Sequence, residues 1–376
     1  MDFELWALVF YIVLPKLFAK KFLGIDLGTS SIRMVELGSS GGGFSLFNYG
    51  QIDLDKIETD TPKSFSKGSL SFSTDEIAEM IQTVLVTAKI KTKQCALSIP
   101  DFSTFFTAFS LPPMTEKEIP KAVTFEARQH IPLPIESVTL DWQLVSGDKT
   151  AQKLEVTVAA VPNEIIEQYH QIAAKAGLEV VLMEAEMFGL ARSLVSKDET
   201  QSVCLVDIGE QSTVCSLVEK QTLKYSHSFD RGVRYLVEDL TRRLPISQEL
   251  ARRIKDNYGL KLISAVDPQI KEKLKDVLRE ALEPILREIA TMLNDYRNTS
   301  NNEAAKIIIS GGIGGVAEIE ELFKGYFKKE IEIANPFKEI NYPLALDPAI
   351  KAIGPIYAVA VGMAQRGLEF LKYHKK

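Results

Sequence analysis

Gly24-Ile25-Asp26-Leu27-Gly28-Thr29-Ser30-Ser31 decides the reading of this chain, because Leu205-Val206-Asp207-Ile208-Gly209-Glu210-Gln211-Ser212-Thr213 repeats its pattern. In each stretch an apolar run ends in Asp-x-Gly, passes through small hydroxyl residues and enters a second apolar run. The tip of such a strand–turn–strand suits an anion. Glycine admits a positive φ and close backbone approach, and successive turn N–H groups form an anion-binding nest. Taken singly, either turn is equally well explained as an ordinary hairpin. Two of them, followed by Ile307-Ile308-Ile309-Ser310-Gly311-Gly312, predict a duplicated fold that grips a nucleotide between two lobes.

A nucleoside triphosphate needs hydrogen-bond donors on its phosphates and a divalent cation, and Mg²⁺ keeps most of its waters while taking few carboxylates. Asp26 and Asp207, one per lobe, are therefore expected to face one Mg²⁺ through those waters. Gly28, Thr29, Ser30 and Ser31 are expected to donate to the terminal phosphates, and Gly209, Ser212 and Thr213 to do so from the other side. Arg33 is the nearest cation and can reach a phosphate. Gly311 and Gly312, after a buried strand, leave room for a base or ribose at a helix N-terminus.

Composition is that of a globular protein: 45% hydrophobic and 25% charged residues in a chain of 376, long enough for two domains. A net charge of −6 provides no broad electrostatic footprint for nucleic acid. A phosphate would have to be held locally. Cys95, Cys204 and Cys215 form neither a disulfide framework nor a metal-ligand spacing and read as buried thiols of a cytoplasmic protein. Residues 3–14 are apolar apart from Glu4, and Lys16, Lys20 and Lys21 follow. As a helix this run spans about 18 Å, short of a ~30 Å hydrocarbon core. Its charges follow the apolar run instead of preceding it, which is not the order of a signal peptide. An interfacial anchor, a helix packed on the protein and an upstream mis-start of the reading frame all fit.

Further along, strands are predicted at 23–37 and 44–52 around a glycine-rich turn, then an irregular polar stretch at 53–70. A helix starts at Ser73 or Thr74, where Ser73 and Glu76 have capping-box spacing. Residues 98–161 read as a β-α-β-β insertion: strands at 102–111, 139–145 and 154–160, with a helix at 116–129. A helix at 163–176, stopped by Gly177, a strand at 179–183 and a helix at 186–195 complete the first lobe. The second begins near Ser202 with strands at 203–208, 213–219 and 222–228, and helices at 232–243, 247–257 and 267–297, the last with Pro284 predicting a kink. A buried strand at 305–310 and a helix at 355–371 finish the pattern. The resulting segments are an extension (1–22), lobe one (23–97 and 162–200), the insertion (98–161), lobe two (201–345) and a closing helix (346–376).

These motifs, in this order, resemble the actin-like ATPase superfamily, and within it the PilM family of type IV pilus assembly proteins. The resemblance rests on the segment 24–37, on Leu111-Pro112-Pro113-Met114 with Glu118, and on Phe125-Glu126-Ala127-Arg128-Gln129-His130-Ile131-Pro132-Leu133-Pro134 running on to Asp141-Trp142. Ala176-Gly177-Leu178, Asn335-Pro336-Phe337 and Val359-Ala360-Val361-Gly362 add to it. It covers about residues 16–370. It implies an α/β, two-lobed actin-like ATPase fold with duplicated mixed sheets and an inserted subdomain of the FtsA and PilM type. It also implies ATP and Mg²⁺ as ligands, and as partner the cytoplasmic tail of a PilN-like inner-membrane protein, bound beside the insertion within a pilus assembly complex. The location implied is the cytoplasm, at the inner face of the membrane.

The resemblance places Glu186 where the superfamily has a water-positioning Glu or Gln, although a surface or N-cap carboxylate fits that position equally well. Arg33 stands where Lys is usual, keeping the charge with a different geometry. The family's Ala-Glu-x-x-Lys near the adenosine is here Ala251 followed by Arg252, with Lys255 in place, and Glu249 lies three residues early. A paired-glycine turn reads Arg231-Gly232. These departures imply a weaker nucleotide affinity or an altered binding pose; ATP binding is still expected, with at most weak hydrolysis. An FtsA-like membrane-associated filament protein, with self-association, is the alternative. A small-molecule kinase would need a general-base Asp that the sequence does not offer.

His130, Trp142 and the pairs Arg242-Arg243, Arg252-Arg253, Lys328-Lys329 and Lys375-Lys376 read as packing residues or solvated faces.

Overall fold

The structure, a computed structural model, describes residues 10–11, 21–40, 43–54, 57, 72–146, 153–256, 268–314 and 319–373. Of the apolar N-terminal stretch it describes strand β1 (Phe10–Tyr11) alone. Most of the polar stretch at 53–70 and Lys375-Lys376 lie outside the described residues. The chain forms two compact units, Met1–Ser193 with Glu339–Tyr342 and Val359–Lys376, and Leu194–Lys338 with Pro343–Ala358.

In the first unit, β2 (Lys21–Leu27) is buried along its length after Lys21, as an apolar strand covered on both faces must be. It turns back into β3 (Ser31–Ser40), which pairs antiparallel with β4 (Gly43–Asp53). Helix α1 (Thr74–Thr87) starts at Ser73 with the predicted capping box complete, and its Ile77, Ile81, Val84 and Leu85 face the core. Strand β5 (Gln94–Ile99) joins β2 in parallel.

A second, three-stranded sheet then interrupts the first. It contains β6 (Phe105–Leu111), helix α2 (Ile119–His130), β7 (Val138–Ser146) and β8 (Leu154–Pro162), in the order β6-β8-β7, around its own cluster of Val123, Ala127, Val156 and Val158. The β-α-β-β order is the one expected, but the first strand starts later. Asp101–Ser103 form a 3-10 turn after Pro100 instead of extending the strand. Helix α3 (Asn163–Lys175) ends before Gly177, whose φ of 74° is the left-handed stop expected there. Strand β9 (Glu179–Ala185) runs directly into α4 (Glu186–Leu194).

The second unit repeats the scheme. Strands β10 (Val203–Ile208), β11 (Thr213–Glu219) and β12 (Thr222–Phe229) are consecutive antiparallel neighbours. Helices α5 (Val233–Arg243), α6 (Gln248–Asp256) and α7 (Pro268–Ser300) follow, and α7 continues as one helix through Pro284. Strand β13 (Lys306–Gly311), helix α8 (Ile319–Phe327) and strand β14 (Glu330–Ile333) close the sheet, β13 lying parallel to β10 and β14 to β13. The order β14-β13-β10-β11-β12 therefore matches β9-β5-β2-β3-β4 strand for strand and direction for direction. Leu236, Leu240, Leu286 and Ile289 pack under the second sheet.

Two expectations need correction. Strand β15 (Ile340–Asn341), in a stretch assigned to the second lobe, pairs with β4 in the first sheet. The last helix, read at 355–371 within a closing segment of 346–376, is α9 (Asp347–Tyr373), which starts well before Pro355 and near that segment's first residue. Pro355 lies inside the helix and costs it one backbone bond. Among the described residues α9 alone is long and apolar enough to cross a membrane (mean hydropathy 1.5). Its Ala360, Val361, Met363 and Ala364 are buried within the protein, the mark of a core helix. Gly24 is what lets it pack so closely on β2: a Cβ there would lie 2.0 Å from the Ala360 carbonyl oxygen.

Candidate functional site

Each Asp-x-Gly loop lies where its unit's central strand turns back on itself. In the first, the Gly28 N–H donates to the Ser31 carbonyl at 3.0 Å; in the second, the Gly209 N–H donates to the Ser212 carbonyl at 2.9 Å. The glycines are needed for a different reason from the one the sequence suggested. Neither has a positive φ. A Cβ would instead press on the loop's own carbonyl, 3.2 Å from Ser31 O at Gly28 and 3.1 Å from Ser212 O at Gly209.

Both aspartates are gripped by a serine from the neighbouring parallel strand. Asp26 Oδ1 accepts from Ser98 Oγ at 3.0 Å, and Asp207 Oδ1 from Ser310 Oγ at 2.7 Å. The duplication breaks at the next position. Asp26 faces Arg33 across the hairpin and its Oδ2 meets Arg33 Nη1 at 3.2 Å, whereas Asp207 faces Val214. Asp26 is only 4% exposed. Burial pushes its carboxyl above the ordinary value, against the opposing pull of Arg33 and Ser98. Arg33 thus holds a carboxylate here, where the sequence offered it a phosphate. Its Nε and the Ser31 hydroxyl are buried without a hydrogen-bond partner among the described residues. Thr29 and Ser30 are half-buried at the tip, and the Leu54 N–H ties the Ser30 carbonyl down at 2.8 Å.

The second loop is tied to α5. The Val233 and Arg234 N–H groups donate to the Gly209 and Glu210 carbonyls at 2.9 and 3.0 Å. Thr213 is fully buried and gives its hydroxyl proton to the Arg231 carbonyl at 2.6 Å, so it braces the loop. Gly311 pairs in register with Ile208 at a φ of 84°, and the Gly312 N–H donates to the Ile208 carbonyl at 2.9 Å. These two glycines lead into a turn at Gly314, residues 315–318 lie outside the described residues, and α8 is described from Ile319. Lys255 lies on α6, with its side chain outside the described residues.

Glu186 opens α4 and its Oε2 accepts the Asp101 N–H at 3.3 Å. Nearby Tyr169, on α3, has a buried hydroxyl without a hydrogen-bond partner among the described residues. Burial first, then the charges of Glu186 and Asp26, push its phenol well above the usual value.

In each unit, taken by itself, the loop's carboxylate and hydroxyl groups are of the kind that suits a magnesium nucleotide. No group of three or more His, Cys, Asp or Glu residues suited to enclosing a metal occurs among the described residues. The buried Ser31 hydroxyl at the start of β3, without a hydrogen-bond partner among the described residues, is a donor in want of an acceptor. Ser98, Asp101 and Tyr169 were not anticipated from the sequence. Ser98 was findable, since Ala96-Leu97-Ser98 before Ile99-Pro100 is the counterpart of Ile308-Ile309-Ser310 before Gly311.

Of the readings set aside, His130 stacks on Phe109 at 5.1 Å, Trp142 packs on the three-stranded sheet, and Arg242 and Arg243 pair with Asp239 and Glu280. All three cysteines are buried and free.

Comparisons with known proteins agree with this geometry. A solved PilM-PilN type IV pilus biogenesis complex contains a chain 22% identical to this one, with a TM-score of 0.76 over 92% of this chain and 98% of that one. The ethanolamine utilization protein EutJ of Carboxydothermus hydrogenoformans (17% identity, TM-score 0.55, 95% and 92% covered) shares the fold. So does MreB 5 of Spiroplasma citri, solved bound to AMPPNP (14% identity, TM-score 0.54, 96% and 98% covered). The cell division protein FtsA of Streptococcus pneumoniae is 19% identical over 353 residues, 84% of this chain and 77% of that protein. Alignment with FtsA of Staphylococcus epidermidis spans 43% of that protein. The family described as type IV pilus assembly protein PilM matches residues 24–368, so this chain, built on the actin-like ATPase fold, belongs to the PilM family.

Proposed function

We propose that this chain binds ATP with Mg²⁺ and acts as a cytoplasmic adaptor of a type IV pilus assembly complex, peripheral to the inner face of the cytoplasmic membrane. The observation that carries the reading is the repeated grip on one aspartate per loop, Ser98 on Asp26 and Ser310 on Asp207, with, in the first loop, a Ser31 hydroxyl that has no hydrogen-bond partner among the described residues. Asp26 and Asp207 hold the cation through its waters. Gly28, Thr29, Ser30, Ser31, Gly209 and Ser212 serve the phosphates, and Arg33 exchanges Asp26 for a phosphate oxygen. Bound Mg²⁺ neutralises phosphate charge that this acidic chain otherwise repels. Gly311 and Gly312 border the nucleoside, Lys255 serves it, and Glu186 orients water.

The partner is the short cytoplasmic tail of a PilN-like inner-membrane protein. It binds in extended form beside the three-stranded sheet, through main-chain bonds and side-chain pockets. Nucleotide favours the conformation that takes the tail, a coupling of about 1–3 kcal/mol. Titration calorimetry with Mg-ATP tests the first half: the wild type binds and Asp26→Ala and Asp207→Ala each weaken binding. Tail-peptide affinity with and without Mg-ATP tests the second, and equal affinities remove the coupling. The similarity to FtsA supports a second reading, nucleotide-dependent self-association, which pelleting with Mg-ATP and lipid vesicles would reveal.

A further inference from the structure

Strand β9 passes into α4 without a loop, so no preceding residue is placed to cap the helix. The first N–H groups of a helix have no intrahelical acceptor and need one from elsewhere. Asp101 supplies it from far away in sequence. Its Oδ1 accepts the Met187 N–H at 3.3 Å, while its own N–H donates to Glu186 Oε2 at 3.3 Å. This is the reciprocity of a capping box, assembled across 85 residues.

Asp101 is 4% exposed and opens the 3-10 turn through which the chain leaves β5 for the three-stranded sheet. A second contact reinforces the same junction. Phe106, at the start of β6, meets Phe188, in the first turn of α4, edge to face with 6.3 Å between ring centres. The root of the inserted sheet therefore touches three successive residues of α4: Glu186 and Met187 through Asp101, and Phe188 through Phe106.

We propose that Asp101 is the positioning residue for Glu186, and that the Asp101–Phe106 junction carries movement of the inserted sheet to that carboxylate. The proposal deepens the nucleotide-site reading and rests on Glu186 belonging to that site. A Glu at the first helical position has no turn of helix before it to restrict its rotamer. The Asp101 N–H fixes one of its oxygens, and the Met187 cap fixes the backbone from which it projects. Whatever binds the inserted sheet and shifts its root displaces both bonds together. A tail bound there would thereby report to the water-orienting group without approaching it.

Amide hydrogen exchange on the full chain tests this, with and without Mg-AMPPNP, and calorimetry of the same nucleotide reports separately on whether the site reading holds. Without nucleotide, Asp101→Ala should speed exchange at the Met187 amide about fivefold or more, the scale of a lost N-cap. Glu186→Ala should speed exchange at the Asp101 amide. Asp101→Asn keeps an acceptor oxygen and should restore protection at Met187. With nucleotide, protection should change in 101–106 and 186–188 together in the wild type and in Asp101→Asn, and become independent in Asp101→Ala. Should Asp101→Ala fail to fold, Glu186→Ala reads the same bracket from its other end. Unchanged exchange at Asp101 in Glu186→Ala, or concerted protection persisting in Asp101→Ala, overturns the proposal. Absence of nucleotide binding to the wild type removes the site reading, while the exchange results without nucleotide still decide the bracket.

Discussion

Ser310 gives its hydroxyl proton to Asp207 from the adjacent parallel strand at 2.7 Å, and Ser98 stands in the same relation to Asp26 at 3.0 Å. Since the strand order and directions of the two sheets also correspond, the duplication extends to the donor that aims each carboxylate. A hydrogen bond to a charged group contributes about 1.5–3 kcal/mol when its partner is buried. Ser98→Ala should therefore cost stability in that range, because Asp26 is buried, and Ser310→Ala should cost less, because Asp207 is only half-buried. Urea denaturation measures both; a Ser98→Ala protein as stable as the wild type would mean that Asp26 is not held by that hydroxyl.

Arg33 is the feature that the second loop lacks. Replacing it with Gln leaves Asp26 buried without its counter-charge, and breaking a buried pair from one side costs about 3–5 kcal/mol. Arg33→Lys should fall between Gln and wild type, since an ammonium keeps the charge without the guanidinium's planar donor set. Asp26→Asn combined with Arg33→Gln should recover much of the loss. A single Arg33→Gln substitution costing nothing in denaturant melts would show the pair to be dispensable to folding.

The capping box of α1 gives a pH-dependent prediction. Glu76 Oε2 accepts from both the Ser73 N–H and hydroxyl, and these bonds hold its carboxyl below the ordinary value of 4.5. A carboxyl depressed in the folded state contributes stability that is present above its unfolded value and lost as the pH falls through the folded one. Ser73→Ala should cost about 1 kcal/mol at neutral pH, and that difference should shrink as the pH drops below 4.5. Thermal melts of the two proteins at pH 7 and pH 4 test it, and a penalty independent of pH would rule out the carboxylate's part.

Two glycines should respond to alanine with opposite signs. A Cβ at Gly24 meets backbone atoms of α9, 2.0 Å from Ala360 O and 2.4 Å from Ala364 N, and no side-chain rotation relieves that. Gly24→Ala should cost at least the ~1–3 kcal/mol of ordinary overpacking. Gly325, within α8, has nothing within 4 Å of where its Cβ would go. Gly325→Ala should stabilise by up to about 1 kcal/mol through helix propensity. Equal melting temperatures for the two variants would contradict the close packing of α9 on β2.

The central hairpins were legible because their signals are local. Strands β10 and β11 occupy the bounds that periodicity assigned, and α1 starts at its capping box. The repeated Asp-x-Gly carried the duplication. What could not be read depended on distant partners. Asp101 acquires its role only because folding brings it to α4, 85 residues on. The turn of α9 before Pro355 forms despite a residue that favours starting a helix there. Strand β15 has two paired residues, too few for a period, and its place beside β4 is set by the rest of the sheet. Arg33 was legible as a cation near a phosphate loop, but its pairing with Asp26 follows from cross-strand register, which places facing side chains on one side of the sheet.

The buried charges behind the first sheet make the most demanding prediction. Arg192 of α4 binds both oxygens of Glu184 of β9, at 2.6 and 2.8 Å, donates to the Gly362 carbonyl of α9 at 3.2 Å and lies 3.7 Å from Glu369. Glu184 is completely buried. Burial alone would lower the Arg192 pKa, yet the surrounding carboxylates raise it above its ordinary value, so the guanidinium stays charged. Arg192→Met should cost about 3–5 kcal/mol by leaving Glu184 unpaired, whereas Arg192→Met with Glu184→Leu should recover most of that loss, because hydrophobic replacement of a whole buried pair is often neutral or favourable. Glu369 is more exposed than Glu184 and able to turn toward solvent, so it limits that recovery less than a buried carboxylate would. A double variant as unstable as Arg192→Met alone would show that the Gly362 carbonyl, and with it the seating of α9, depends on the arginine more than on the ion pair.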